Sequence, residues 1–199
     1  KIGMIPFDVG RALRSPKVVD DLNEKILTEQ DIHQMIEMEP ILRNQVLLRV
    51  LYVAGIRAAE AAGLTWLSVQ PRTGGGGQIS VLGKGRKIRS IPLSLRAWDA
   101  LMKIKPERPG MHTPVFCRDD GRAMSRTYVT MVVTRAARRA GIEQHVSAHW
   151  LRHGHASHAL DRGAKLSLIQ QTLGHSNVKT TSRYLHARPD DSSAHYLDS

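Results

Sequence analysis

Helical periodicity in this sequence is interrupted once, and that interruption fixes the class of fold. Leu42, Val46, Leu47, Val50, Leu51 and Ala54 recur at helical spacing up to Gly55, read as the stop because glycine closes a helix readily, and helical spacing returns after Ser94. Between them lie three β-rich runs, Thr65 to Val69, Gln78 to Leu82 and Lys87 to Pro92, parted by Gly74 to Gly77 and by a Gly83-Lys84-Gly85 turn. Runs this short and this close in sequence pair as neighbours in an antiparallel sheet. The class is therefore α+β, mostly helical with a small three-stranded antiparallel sheet. Further helices are predicted from Thr28 to about Glu39, Arg57 to Ala62, Ser94 to Ile104, Ser125 to Ala140, His149 to Asp161, Lys165 to Leu173 and Asn177 to His186. Residues 1–27, with Pro6, Pro16, Gly3 and Gly10 and no sustained periodicity, read as a linker or extended arm.

Charge narrows the partner. The chain of 199 residues carries 29 Lys plus Arg against 18 Asp plus Glu, a formal charge of +11. Residues 1–40 hold five cations and eight acids, so the excess of positive charge belongs to the remainder. From Ala61 to Trp98 there is no acid, and from Gly121 to Leu160 six Arg and five His face Glu143 alone. Such asymmetry, with 5% aromatic residues, points to a polyanion, most economically nucleic acid; the plain alternative is a solubilising surface. The single Cys117 excludes an internal disulfide, and no uncharged stretch approaches the ~18 to 20 apolar residues of a membrane span. A soluble, cytoplasmic protein with no membrane partner is expected.

Several generic chemistries fail on spacing. Around Gly83-Lys84-Gly85, Gln78 stands where a phosphate loop needs its first glycine, and Gly85 where it needs Ser or Thr. His149 and His153 are one turn apart, but Arg152 between them would repel a dication, and the catalytic Glu of a zinc protease motif is missing. A two-metal nuclease needs clustered carboxylates, and acids are scarcest where the other polar residues are densest. No metal and no cofactor is expected.

What remains is a set of donors and one tyrosine. His149 and Arg152 are three apart on one helix face. Arg57 follows a glycine stop at a helix start, with Glu60 three residues on to orient it; Lys84 tops a hairpin; His175 follows Gly174, and Tyr184 lies nine residues later in the last helix. Each has a dull reading: a half-buried ring for Tyr184, a cap for His175, surface ion pairs for the arginines, a turn lysine at position 84. The ordered set is harder to reach by chance.

That set resembles the tyrosine recombinase family of phage integrases and Xer proteins, over about Leu47 to His186. The matching pieces are Ala54-Gly55-Ile56-Arg57-Ala58-Ala59-Glu60, Gly83-Lys84-Gly85-Arg86-Lys87 with Ile91-Pro92-Leu93, Ala148-His149-Trp150-Leu151-Arg152-His153, Leu173-Gly174-His175-Ser176 and Thr180-Thr181-Ser182-Arg183-Tyr184. The resemblance implies a catalytic domain over 28–189, preceded at 1–27 by an interdomain linker whose N-terminal DNA-clamp domain is absent from this chain. It implies that Tyr184 attacks a DNA phosphodiester, giving a 3′-phosphotyrosyl link and a free 5′-hydroxyl without metal or ATP. Arg57, Arg152 and His175 would then hold the phosphate oxygens, His149 would act as base, Lys84 as acid for the leaving oxygen, and Glu60 would orient Arg57. Arg86, Lys87, Arg89, Arg135, Arg138 and Arg139 would contact double-stranded DNA. Residues 190–199 would dock on a neighbour in a DNA-bound homo-tetramer, the free protein being a monomer associated with the nucleoid when on DNA. The competing readings are a type IB topoisomerase of similar chemistry and a catalytically silent DNA-binding regulator. For His153 and His155 the expectation is packing or an indirect contact.

Overall fold

The computed structural model describes residues 26–83 and 87–174, and the architecture is that of those residues. Seven α-helices are found among them, with one sheet. The first helix, α1 (Glu29–Glu37), opens on Thr28: its Oγ1 accepts from the Asp31 N–H at 3.1 Å while Asp31 accepts from the Thr28 N–H at 3.0 Å. Two otherwise unpaired donors are thereby satisfied. The second, α2 (Leu42–Val53), follows Pro40 and is the central helix, with Val46, Leu47, Leu48, Val50 and Leu51 all buried. Residues buried around most of a helix's circumference mark it as interior. Gly55, at φ +58°, ends it, and α3 (Ala58–Ala62) starts three residues on, with Arg57 at its N-cap rather than inside it as the sequence suggests.

The three strands β1 (Val69–Pro71), β2 (Gly77–Leu82) and β3 (Ile88–Leu93) pair antiparallel in the order β1-β2-β3. Ile79 lies opposite Ile91 and Val81 opposite Arg89, so one face of the sheet presents Ile79, Val81, Ile91 and Leu93 to the core and carries Arg89 with them. The run Thr65 to Val69 is the sequence expectation that fails locally. Thr65 is drawn into a bridge with Pro114, and the Trp66 N–H donates to the Thr113 carbonyl at 3.0 Å. Trp66–Ser68 then forms a 3-10 turn, and only Val69 onward joins the sheet.

Helices α4 (Leu95–Met102), α5 (Arg126–Arg139), α6 (Ala148–Asp161) and α7 (Leu166–Leu173) complete the described chain. Ser94 and Ser125 cap α4 and α5, accepting from the N–H groups of Ala97 and Tyr128. Val129, Val132 and Val133 of α5 and Leu151 of α6 join α1 and α2 in one core, and each fully buried side chain of this size contributes about 1.5–3 kcal/mol. Helix α7 stands apart, burying Ile169 and Leu173 in a small satellite with Ala156 of α6. Among the described residues no helix is long and apolar enough to cross a membrane. The helix expected over Asn177 to His186 and the tail 190–199 lie outside the described residues.

Candidate active site

Three helix beginnings, those of α3, α5 and α6, converge on a cleft of about 450 Å³ lined by Arg57, Ala58, Ala59, Arg126, Thr130, Ser147, Ala148, His149 and Arg152. Its lining holds three arginines and one histidine but no carboxylate. Helix N-termini present free N–H groups and the positive end of the peptide dipoles, so the side chains and the backbone favour the same occupant, an anion. No group of acids, histidines and cysteines that could hold a metal occurs among the described residues.

Arg152 is the most constrained member. Only 2% exposed, it donates from Nη1 to the Gly55 carbonyl at 2.5 Å and from Nη2 to the Leu173 carbonyl at 2.7 Å. Both carbonyls belong to helix C-terminal ends, of α2 and α7, where the peptide dipoles favour a cation. A buried charge is thus fixed by fold geometry before any substrate arrives. The backbone at Gly55 is equally constrained, because a Cβ there would lie 2.6 Å from Leu173 Cδ2 and 2.8 Å from His155 Cδ2.

Arg57 enters from the other wall. Its N–H and its Nη1 both donate to Glu60, each at 2.9 Å, and its side chain remains 40% exposed toward the cleft. Glu60, whose side chain is 4% exposed, is also gripped by Arg89: Nη1 to Oε1 at 2.9 Å and Nη2 to Oε2 at 2.8 Å. Burial alone would raise the Glu60 pKa, but hydrogen bonds from Arg89 and from the Arg57 backbone and side chain outweigh it and hold the carboxyl below its ordinary value. Glu60 is an ionised anchor shared by two guanidiniums.

His149 stands at the mouth of the cleft, its ring edge-on to His153 with centroids 4.1 Å apart. Partial burial of the ring, then the charges of Arg152 and Arg57, lower its pKa, so it is neutral near pH 7 and able to accept a proton. His155 bonds through Nδ1 to the Tyr52 carbonyl at 2.9 Å, and burial pulls its pKa down to about 4.

The structure therefore brings Arg57, Glu60, His149 and Arg152 together. Lys84, Arg86, His175 and Tyr184 lie outside the described residues. Of the other cations expected at DNA, Lys87, Arg135 and Arg138 are exposed. Arg89 and Arg139 are engaged in ion pairs within the protein. Arg89 is bound to Glu60 and, through Nε, to the Thr172 carbonyl at 2.8 Å; Arg139 reaches the buried Glu39 at 2.6 Å. A guanidinium that neutralises a buried carboxylate is held there by the cost of leaving that charge unpaired. Sequence reasoning missed Arg126 and Thr130 as cleft residues, although Arg126 directly follows the Ser125 cap that marks the helix start.

Comparison with known proteins agrees with this geometry. The sequence profile of the phage integrase family matches residues 25–190. The tyrosine recombinase XerC of Corynebacterium glutamicum is 35% identical over 195 residues, covering 94% of this chain and 62% of that protein. XerC of Thermodesulfovibrio yellowstonii is 32% identical over 92% of this chain and 64% of its own length, so the chain spans under two thirds of these relatives. Among solved structures, XerA recombinase superposes with a TM-score of 0.71 at 24% identity, covering 86% of this chain and 61% of that one. The catalytic domain of bacteriophage HP1 integrase gives 0.65 at 26% identity, covering 87% and 94%. XerH recombinase in a post-cleavage complex with its palindromic difH substrate gives 0.68 at 25% identity, covering 82% and 50%.

Proposed function

The chain belongs to the phage integrase family, and from that membership together with its acid-free arginine cleft we propose that it cuts and rejoins double-stranded DNA at specific sites through a tyrosine-linked intermediate. The observation that carries the reading is the pair Arg57 and Arg152, one anchored on Glu60 and the other on two helix-end carbonyls, lining one cleft that holds no carboxylate.

The chemistry follows from the donors. The Tyr184 phenolic oxygen attacks phosphorus as the bond to the 5′-oxygen breaks, so one ester replaces another and neither ATP nor redox partner is required. The phenolic proton, with an ordinary pKa near ~10, passes to His149, which burial and then the neighbouring Arg152 and Arg57 keep neutral. Arg57 and Arg152 offer forked donors to the non-bridging oxygens as negative charge grows on them, doing the work of a metal ion. Lys84 supplies a proton to the departing 5′-oxygen, and His175 adds a donor to the phosphate. Rejoining is the same sequence reversed with another 5′-hydroxyl. Lys87, Arg135, Arg138 and Arg86 contact the flanking backbone. The working form in this reading is a tetramer on DNA, with residues 190–199 docking on the neighbouring protomer and residues 1–27 leading from a DNA-clamp domain.

The test is a pool of duplexes of randomised sequence, each nicked so that the short 5′-hydroxyl fragment diffuses away after cleavage. An active protein becomes trapped as a covalent adduct that survives a denaturing gel, and the trapped DNA reveals the target site. Absence of adduct across the pool removes the reading and leaves the silent DNA-binding regulator; relaxation of supercoiled plasmid without any partner site would favour the topoisomerase.

A further inference from the structure

Arg89 ties together two segments that hold the cleft arginines. On one side its Nη1 and Nη2 grip Glu60, which holds Arg57; on the other its Nε donates to the Thr172 carbonyl, one residue before the Leu173 carbonyl that receives Arg152. We propose that Arg89 is a positioning residue for strand cleavage, a strut from β3 that fixes the spacing between the two phosphate-binding arginines.

Three features of the structure argue for it. First, α7 has little apolar anchorage of its own: Ile169 and Leu173 with Ala156 make a satellite cluster separate from the main core. The last turn of α7, which supplies the Arg152 acceptor and leads to Gly174 and His175, is therefore placed largely by polar ties, and Arg89 provides one of them. Second, Glu60 has two oxygens and two guanidiniums around it. Because Arg89 occupies both oxygens, the Arg57 side chain has, among the described residues, a single hydrogen bond, to Oε1, and the residue lines the cleft. Without Arg89 the carboxylate would be free to take Arg57 bidentately and draw it away from phosphate. Third, the contacts need a planar fork with a third donor: a lysine ammonium at this position cannot meet two carboxylate oxygens and a carbonyl in those directions. The side chain is 14% exposed and all its donors point inward, so it is placed to hold the site and not to touch DNA.

This inference rests on the function proposed above, and it is tested on the same nicked duplexes under single-turnover conditions at saturating protein. Arg89→Gln and Arg89→Lys are expected to bind duplex with wild-type affinity and salt dependence, and to lose about 10- to 100-fold in cleavage rate, the loss expected of a displaced donor. The acidic limb of the rate profile should move to higher pH in Arg89→Gln, since Arg89 is the chief cause of the low Glu60 pKa, a shift that general loosening of the fold does not produce. Combining Arg89→Gln with Glu60→Gln should cost less than the product of the two single losses, because both variants break the shared Glu60 link and only Arg89→Gln also gives up the Thr172 tie. If Arg89→Gln does not fold, judged by circular dichroism and a thermal melt, Arg89→Lys carries the test. A wild-type cleavage rate in the variants, fully multiplicative losses with Glu60→Gln, or weaker DNA binding with a salt slope lowered by about 1 would overturn the inference, the last reassigning Arg89 to phosphate contact. A wild-type protein that forms no adduct removes the proposed function and this inference together; an active wild type with an indifferent Arg89→Gln removes the inference alone.

Discussion

Replacing Gly55 by alanine tests how the fold holds Arg152. Gly55 has φ +58°, where an L-residue with a Cβ is disfavoured by roughly 1–2 kcal/mol. The new methyl would sit 2.6 Å from Leu173 Cδ2 and 2.8 Å from His155 Cδ2, and forcing that much volume into packed surroundings typically costs about 1–3 kcal/mol more. The expected total is about 2–5 kcal/mol, which in a chain of this size lowers the melting temperature by roughly 5–15 °C. Gly141 is the internal control: its φ is +76° but nothing lies within 4 Å of its Cβ position, so Gly141→Ala should show the conformational cost alone. The loss of unfolded-chain entropy on adding a methyl is common to both and cancels in the difference. Urea titrations of the two variants, with Leu173→Ala and the pair Gly55→Ala/Leu173→Ala to close a double-mutant cycle, measure the steric part directly. Since the Gly55 carbonyl receives Arg152, cleavage should fall further in Gly55→Ala than in Gly141→Ala at temperatures where both are folded. Equal destabilisation by the two alanines, or additive effects in the cycle, would show that the contact at Gly55 does not constrain the turn as argued.

Arg135, Arg138 and Arg139 of α5 should separate by what they pair with, Arg139 alone of the three being bonded to a buried carboxylate among the described contacts. Arg139→Ala strips the buried Glu39 of its ion pair and is expected to destabilise by about 3–5 kcal/mol in urea unfolding, whereas Arg135→Ala and Arg138→Ala should stay within about 0.5 kcal/mol and instead each lower the salt slope of DNA binding by about 1. His155 makes stability depend on pH. Its folded pKa of about 4 lies below the ordinary imidazole value of 6.5, so its contribution is complete above pH 6.5 and is lost as pH falls toward 4; unfolding free energy should drop by about 2 kcal/mol between pH 7 and 5, and His155→Phe should flatten that stretch of the profile. Arg152→Lys, which keeps the charge but cannot bridge the Gly55 and Leu173 carbonyls and a phosphate together, should cost at least about 10²-fold in single-turnover cleavage while duplex binding persists; an effect under tenfold would remove Arg152 from transition-state stabilisation.

Helices were legible in this sequence wherever the signal is local. Thr28 with Asp31, Ser94, Ser125 and the glycine after α2 each act within one turn of themselves, and the structure puts helix ends there to within a residue or two. Thr65 to Val69 was not legible, because what bends it into a 3-10 turn is a partner nearly fifty residues away, the Thr113–Pro114 backbone. The same division runs through the site. Arg57, Glu60, His149 and Arg152 fall at helix starts or at helical spacings, and local geometry carries them to one cleft. The ion pairs of Arg89 and Arg139 were not legible because their carboxylates lie 29 and 100 residues away. For Arg89 a signal was nevertheless present: strand alternation places it on the same face as Ile91 and Leu93, and a charged residue on the buried face of a strand has a buried partner. For Arg139 no local pattern marks Glu39 as interior.

The central claim is that Tyr184 becomes joined to the 3′ end of the cut strand. The most direct measurement is proteolysis of the gel-purified adduct followed by tandem mass spectrometry of the nucleotide-bearing peptide. The account requires a phosphodiester on the Tyr184 oxygen with the DNA attached through its 3′-oxygen, and no adduct from Tyr184→Phe, which deletes one oxygen and little volume. A nucleotide on Tyr52, Tyr128 or Tyr196, a linkage through the 5′-oxygen, or adduct from the Phe variant would contradict it.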